Sequence, residues 1–159
     1  MRIAVIEDER PIREGLVHIL NKISPEYQVV GSAENGREGL ILLEEQDPDL
    51  ILLDIQMPDM NGLQMLKEAR KRGSMTKVVI LTAYSDFDYA KSAIKYSVCD
   101  YVLKIAIMDE LPKALEKATG KLTELKKEID RFESTVENGM KEFKKILEQK
   151  KEADSGQID

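Results

Sequence analysis

Five short apolar runs recur along the chain, at residues 3–6, 27–30, 50–53, 78–81 and 101–103, and each ends in polar or turn-forming residues. The runs at 3–6, 50–53 and 78–81 are apolar without alternation, which predicts parallel strands covered on both faces. Segments of helical period lie between them. Ile12, Leu16, Ile19 and Ile23 step by four, three and four residues onto one helix face, and Pro11 suits the first turn. A second helix is predicted from Asn35, an effective N-cap, with Leu40 and Leu43 inward. A third follows Gly62 with Leu63, Leu66 and Ala69, and a fourth begins near Asp86 with Ala90, Ala93 and Ile94 facing the sheet. Strict alternation of strand and helix through short loops predicts an α/β three-layer sandwich around a five-stranded parallel sheet.

The texture changes at Asp109, a plausible N-cap with Pro112 in the first turn behind it. Strand signals stop, charge becomes dense and apolar residues keep a heptad step. Leu111, Leu115, Ala118, Leu122, Leu125, Ile129, Phe132, Val136, Phe143 and Ile146 alternate between a and d positions, with Gly139 on a d position. The expected organisation is a domain over residues 1–118, an extended amphipathic, coiled-coil-like helix over 119–152 and a disordered tail over 153–159. Leu111, Leu115 and Ala118 are expected to cover the sheet; beyond Gly120 the seam calls for a homodimer or another helical partner. In a parallel in-register dimer Lys121 would meet Lys126 and Glu128 would meet Glu133, which opposes that register; antiparallel pairing, a shifted register and a different partner stay open.

Composition narrows the class. The net charge of −6 divides into 13 Lys and Arg against 17 Asp and Glu over residues 1–108, and 11 against 13 thereafter. Neither part is basic, so direct nucleic-acid binding by this chain is not expected. A single cysteine, Cys99, excludes an intramolecular disulfide framework and fits a reducing compartment. The first apolar run is too short for a signal peptide or a membrane span, and a cytoplasmic location is the expectation. His18 is the only histidine and has no second nitrogen or sulfur ligand to complete a zinc site. Cys99, beside a predicted buried strand, reads as an inert thiol.

Polar chemistry gathers at strand ends. Glu7 and Asp8 follow the first strand, Asp54 the third, Thr82 the fourth and Lys104 the fifth. In an open parallel sheet, ligands bind outside the carboxyl ends of the strands, so these residues are expected to converge. Crowded carboxylates repel one another, and a hard cation with oxygen ligands, Mg²⁺ above all, relieves them. Lys104 and Thr82 add a cation and a hydroxyl, suited to a phosphoryl group on Asp54.

Four motifs, VIEDE at 5–9, LDIQMP at 53–58 with Asn61 and Gly62, LTA at 81–83 and DYVLK at 100–104, closely resemble the signature of two-component response-regulator receiver domains. The resemblance covers about residues 1–118 and implies a flavodoxin-like sheet of order 2-1-3-4-5. It implies that Glu7, Asp8, Asp54 and the backbone carbonyl of Gln56 hold Mg²⁺, and that Asp54 takes a phosphoryl group from a sensor histidine kinase. Lys104 would pair with the phosphate, Thr82 would move to bond it, and Tyr101 would rotate inward as the switch. The side chains at Gln56 and Tyr84 would tune the lifetime of the phosphorylated state. Such a domain modifies itself and is no independent enzyme.

Two positions depart from the family pattern. Ile105 stands where receivers place a proline after the lysine, and Glu7 replaces the commoner aspartate. A cis bond before a non-proline residue costs about 2.5–4 kcal/mol, so the aim of Lys104 depends on which isomer Ile105 adopts. Residues 81–90 further resemble receivers that precede AraC-type DNA-binding domains, which implies transcriptional output through a domain outside this chain. The alternative is a stand-alone or degenerate receiver acting as a protein interaction module.

Overall fold

The computed structural model describes residues 1–156, apart from the side chains at 84, 87, 89 and 121–126. It contains strands β1 (Arg2–Ile6), β2 (Gln28–Ala33), β3 (Leu50–Asp54), β4 (Lys77–Thr82) and β5 (Asp100–Leu103). Helices α1 (Arg10–Ile23), α2 (Gly36–Gln46), α3 (Gly62–Lys71), α4 (Phe87–Lys91) and α5 (Ile107–Gly156) alternate with them. All strand pairs are parallel and the sheet order is β2-β1-β3-β4-β5, the α/β three-layer, flavodoxin-like arrangement implied by the motifs.

Side-chain alternation sorts the strands between two cores. Ala4, Ile6, Ile51, Leu53, Val78 and Ile80 point to one face, under Leu40 and Leu43 of α2 and Met65, Leu66 and Ala69 of α3. Ile3, Val5, Leu50, Leu52, Val79 and Leu81 point to the other, under Leu16 and Leu20 of α1 and Leu111, Ala114, Leu115 and Ala118 of α5. Both faces are covered, which explains why the central strands are apolar at every position. Asn35 caps α2 by accepting from the Glu38 N–H at 2.9 Å, as its residue type predicts. Asn61 and Gln64 form a reciprocal capping box that starts α3.

Three elements differ from expectation. The predicted fourth helix is broken: a 3₁₀ turn over Tyr84–Asp86 precedes α4, and another over Ser92–Tyr96 follows it. Tightening to three residues per turn shifts the phase of the side chains, so Ala90 and Ala93 are buried whereas Ile94, expected to face the sheet, is 61% exposed. Helix α5 begins at Ile107 rather than behind an Asp109 cap, continuing a 3₁₀ turn over Lys104–Ala106. The Glu110 carboxylate accepts the Leu103 N–H at 2.9 Å there, and Pro112 falls in the second turn, where its missing N–H leaves the Met108 carbonyl without that helical bond. The helix also runs through Gly156 where a disordered tail was expected from Ala153; residues 157–159 lie outside the described residues.

The chain divides into two compact units, Met1–Thr119 and Gly120 onward. In the second, Ile129, Phe132, Val136, Phe143 and Ile146 of the seam are exposed, as are Met140 and Leu147, which the heptad reading omitted. The side chains of Lys121, Leu122, Leu125 and Lys126, also part of that reading, lie outside the described residues.

Gly62 shows how tightly the third strand end is built. Its N–H donates to the Ile55 carbonyl at 3.1 Å, and a Cβ there would collide with the Asp54 carbonyl oxygen. Gly15, in the middle of α1, has open space where a Cβ would go. Gly62→Ala is expected to cost about 1–3 kcal/mol in urea unfolding, by overpacking against backbone, and Gly15→Ala to gain roughly 0.5–1 kcal/mol. Equal effects at the two positions would contradict this packing.

Candidate functional site

Strand register brings the polar residues together. Ile6 pairs with Leu53 and Asp54 with Leu81, so Glu7 comes level with Asp54 on the neighbouring strand. Thr82 pairs with Leu103, which sets Lys104 one step beyond it. The chain leaves β1 for β2 on one side and later passes to β3 on the other, so Glu7, Asp8 and Asp54 flank the point where strand order reverses, the usual ligand crevice of such sheets.

Glu7 and Asp54 are buried, at 0% and 1% exposure, and Asp8 stands at the margin with intermediate exposure. One oxygen from each of the three lies within 4.8 Å of the others. The Lys104 ammonium donates to Glu7 Oε1 at 3.2 Å. It also lies 3.2 Å from Glu7 Oε2 and from Asp54 Oδ2, and 3.8 Å from Glu9 Oε1. Those two buried oxygens, Glu7 Oε2 and Asp54 Oδ2, have charge proximity but no aligned hydrogen bond among the described residues. Asp54 Oδ1 accepts the Gln56 N–H at 3.2 Å, so the contact seen from Gln56 is made by its amide.

Burial dominates the electrostatics. Removal from water, then the Glu7 charge, pushes the Asp54 carboxyl up to about 8, against the opposing pull of Lys104. Burial likewise raises Glu7, although Lys104 draws it down. Burial pulls the Lys104 ammonium down, but the Asp54 and Glu7 carboxylates together outweigh it and the net shift is upward. Two buried carboxylate oxygens that accept no hydrogen bond among the described residues, beside the half-buried Asp8 carboxylate, form an all-oxygen donor set that fits a hard divalent cation.

Thr82 is buried and its hydroxyl donates to its neighbour's Ala83 carbonyl at 3.0 Å, turned to the backbone rather than to Asp54. The Tyr101 hydroxyl is also out of water and has no hydrogen-bond partner among the described residues, and burial followed by the Asp100 charge raises its pKa. The Tyr84 side chain lies outside the described residues. No peptide bond among the described residues is cis, so Ile105 follows Lys104 through a trans bond, and the ammonium still reaches both buried carboxylates. His18 is exposed on α1, and Cys99 is a half-buried free thiol at the edge of the second core.

Sequence reasoning missed three residues here. Arg13 donates to the Glu7 and Asp8 carbonyls at 2.8 and 3.3 Å, fixing the backbone that presents the acidic pair. Glu9 shares Lys104, and Asp86 accepts from the Gln56 side-chain amide at 3.4 Å. No spacing rule points to these contacts; they exist because the first turn of α1 and the turn after β4 fold over the same strand ends.

Comparison with known proteins agrees with this geometry. A sequence-family model described as the response regulator receiver domain matches residues 3–116. The chain is 36% identical over 116 residues to the nitrate/nitrite response regulator protein NarL of Escherichia coli K12, covering 73% of this chain and 53% of that protein. It is 36% identical over 103 residues to the transcriptional regulatory protein HptR of Staphylococcus aureus, covering 65% and 40%. The chain thus spans about half the length or less of these curated relatives. Among solved structures, the receiver domain of AraT, a response regulator from Geobacillus stearothermophilus, superposes with a TM-score of 0.72 at 32% identity, covering 79% of this chain and 97% of that one.

The raised carboxyls set a pH dependence. Asp54 ionises near 3.8 in the unfolded chain and near 8 in the fold, so between those values the folded chain holds a proton that the unfolded chain has released. Stability from this group therefore falls as pH rises. In chelator, Asp54→Asn is expected to unfold at higher denaturant concentration than wild type, by a gap that widens from pH 5 to pH 8. A gap independent of pH, or one of opposite sign, would contradict the assigned burial cost.

Proposed function

The chain belongs to the response regulator receiver domain family, and from that membership we propose that Asp54 accepts a phosphoryl group from the phosphohistidine of a sensor histidine kinase in a Mg²⁺-dependent reaction. The observation that carries this reading is the buried Glu7–Asp54 pair at the strand-order switch, with Lys104 3.2 Å from both. Glu7, Asp8, Asp54 and the Gln56 carbonyl would hold the ion. When bound, Mg²⁺ supplies positive charge that favours the ionised carboxylates and offsets charge on the transferring phosphoryl group.

The residues of the chain divide the remaining work. A carboxylate oxygen of Asp54 attacks phosphorus in line while the bond from phosphorus to the donor imidazole breaks, and the imidazole nitrogen keeps the electron pair. Lys104 neutralises charge on the phosphoryl oxygens from a position already fixed by Glu7 and Glu9. The Thr82 hydroxyl turns from the Ala83 carbonyl to a phosphoryl oxygen, and Tyr101 rotates inward as Thr82 vacates its space. Added charge and acceptor oxygens then reorganise the turn after β4 and the surface of α4 and β5. Water later hydrolyses the acyl phosphate, returning Asp54.

The output proposed is transcriptional, through a domain outside this chain, because NarL and HptR carry regulatory names and extend well beyond the matched region. A cytoplasmic site of action keeps Cys99 reduced; among the described residues no helix is long and apolar enough to cross a membrane. Lys104 reaching its partners despite Ile105 weighs against a degenerate receiver.

Intact mass after incubation with Mg²⁺ and a small acyl phosphate tests the proposal. One added phosphoryl group is expected in the wild type, none with chelator or in Asp54→Ala, and a rate lowered roughly tenfold or more in Lys104→Ala. An unmodified wild type, with a cognate kinase failing as well, would leave the domain an interaction module.

A further inference from the structure

The second unit carries a surface that phosphotransfer does not use. Ile129, Phe132, Val136, Met140, Phe143 and Leu147 fall within about a quarter of the helix circumference at ~100° per residue, a continuous apolar stripe. All are exposed, Phe132 by 71% and Phe143 by 63%. A helix with two phenylalanines open to water on such a stripe gains by covering it. Gly139 lies beside the stripe with open space at its missing Cβ, next to a shallow depression lined by Val136, Met140, Phe143 and Leu147.

Charge identifies what covers it. Residues 128–137 carry Glu128, Asp130, Glu133 and Glu137 against Arg131 alone, whereas residues 141–151 carry Lys141, Lys144, Lys145, Lys150 and Lys151 against Glu142 and Glu148. The sign reverses across Gly139. A second copy laid parallel would set acidic beside acidic and basic beside basic; laid antiparallel, it sets each half beside its opposite. The apolar stripe permits the same choice, because antiparallel pairing brings Ile129, Phe132 and Val136 onto Met140, Phe143 and Leu147 of the other copy. We propose that residues 127–152 form an antiparallel homodimer with the same segment of a second chain, the two helices passing each other close to Gly139, where the absent side chain allows near approach. This pairing is independent of Asp54 and forms in the unphosphorylated chain.

Sedimentation of the full, unphosphorylated chain should give twice the monomer mass at concentrations up to about 100 µM, well above the Kd of a micromolar pairing. For direction, Cys99→Ser with Lys127→Cys, spin-labelled at position 127, should show a label separation of ~30–40 Å, because the labels lie on opposite sides of the crossing. A parallel in-register pair would give about 10–20 Å. Lys144→Glu with Lys145→Glu should weaken dimerisation about tenfold or more, and mixing that chain with Glu133→Lys, Glu137→Lys should restore it. A monomer mass throughout, a short label distance or a failure of the mixed charges to restore pairing would each overturn the proposal. None of these readouts depends on phosphotransfer, so failure here and failure at Asp54 are separable.

Discussion

Two carboxylates that would repel each other in any medium stand side by side at neighbouring strand ends, almost wholly out of water, with the Lys104 ammonium 3.2 Å from each. Glu7 and Asp54 occupy these positions because β1 and β3 are adjacent and parallel, and because residues 3–6 and 50–53, which lead up to them, are apolar and buried. Burial raises both carboxyls, and Lys104 reduces the repulsion without an aligned hydrogen bond to Glu7 Oε2 or Asp54 Oδ2. An arrangement of this kind is costly to the fold and is tolerated when a ligand or modification uses it. Much of the local structure serves to hold it: Arg13 fixes the Glu7 and Asp8 carbonyls, the Asn61–Gln64 capping box starts α3, and Gly62 lets that helix begin against the Asp54 carbonyl.

Lys104 shows how a missing family feature is accommodated. With Ile105 after it and a trans bond between them, the chain leaves β5 through a 3₁₀ turn, and Glu110 reaches back to the Leu103 N–H. The lysine side chain then spans the crevice to Glu7, Glu9 and Asp54. The Thr82 hydroxyl rests on a backbone carbonyl, and the Tyr101 hydroxyl has no hydrogen-bond partner among the described residues.

The first unit ends in a cluster of contacts around α5: Lys77 donates to the Ala118 carbonyl at 3.1 Å, and Thr119 lies 3.4 Å from the Tyr27 hydroxyl. Up to that point the helix contributes Leu111, Leu115 and Ala118 to the core and belongs to the sandwich. Beyond it, the same helical period continues with exposed apolar residues, and the pattern of charge takes over as the informative feature. A heptad assignment that treats Gly139 as a d position misses Met140 and Leu147, whose exposure places the apolar stripe on a slightly rotated face.

The amino-acid sequence by itself determined the alternation of strands and helices, the cap at Asn35, the split of the core between two sheet faces and the gathering of Glu7, Asp8, Asp54, Thr82 and Lys104. These follow from local periodicity and from the rule that parallel strands end on one edge, so short-range pattern suffices to read them. Tertiary structure alone decided the break in the fourth helix that exposes Ile94, the early start of α5 before Pro112, the roles of Arg13 and Glu9, and the trans link that still lets Lys104 reach the site. Each of these depends on how separate segments meet: a change of helical phase, a carboxylate reaching back seven residues, a guanidinium folded over a neighbouring loop. Such outcomes are set by packing geometry and desolvation in three dimensions, and no spacing along the chain encodes them.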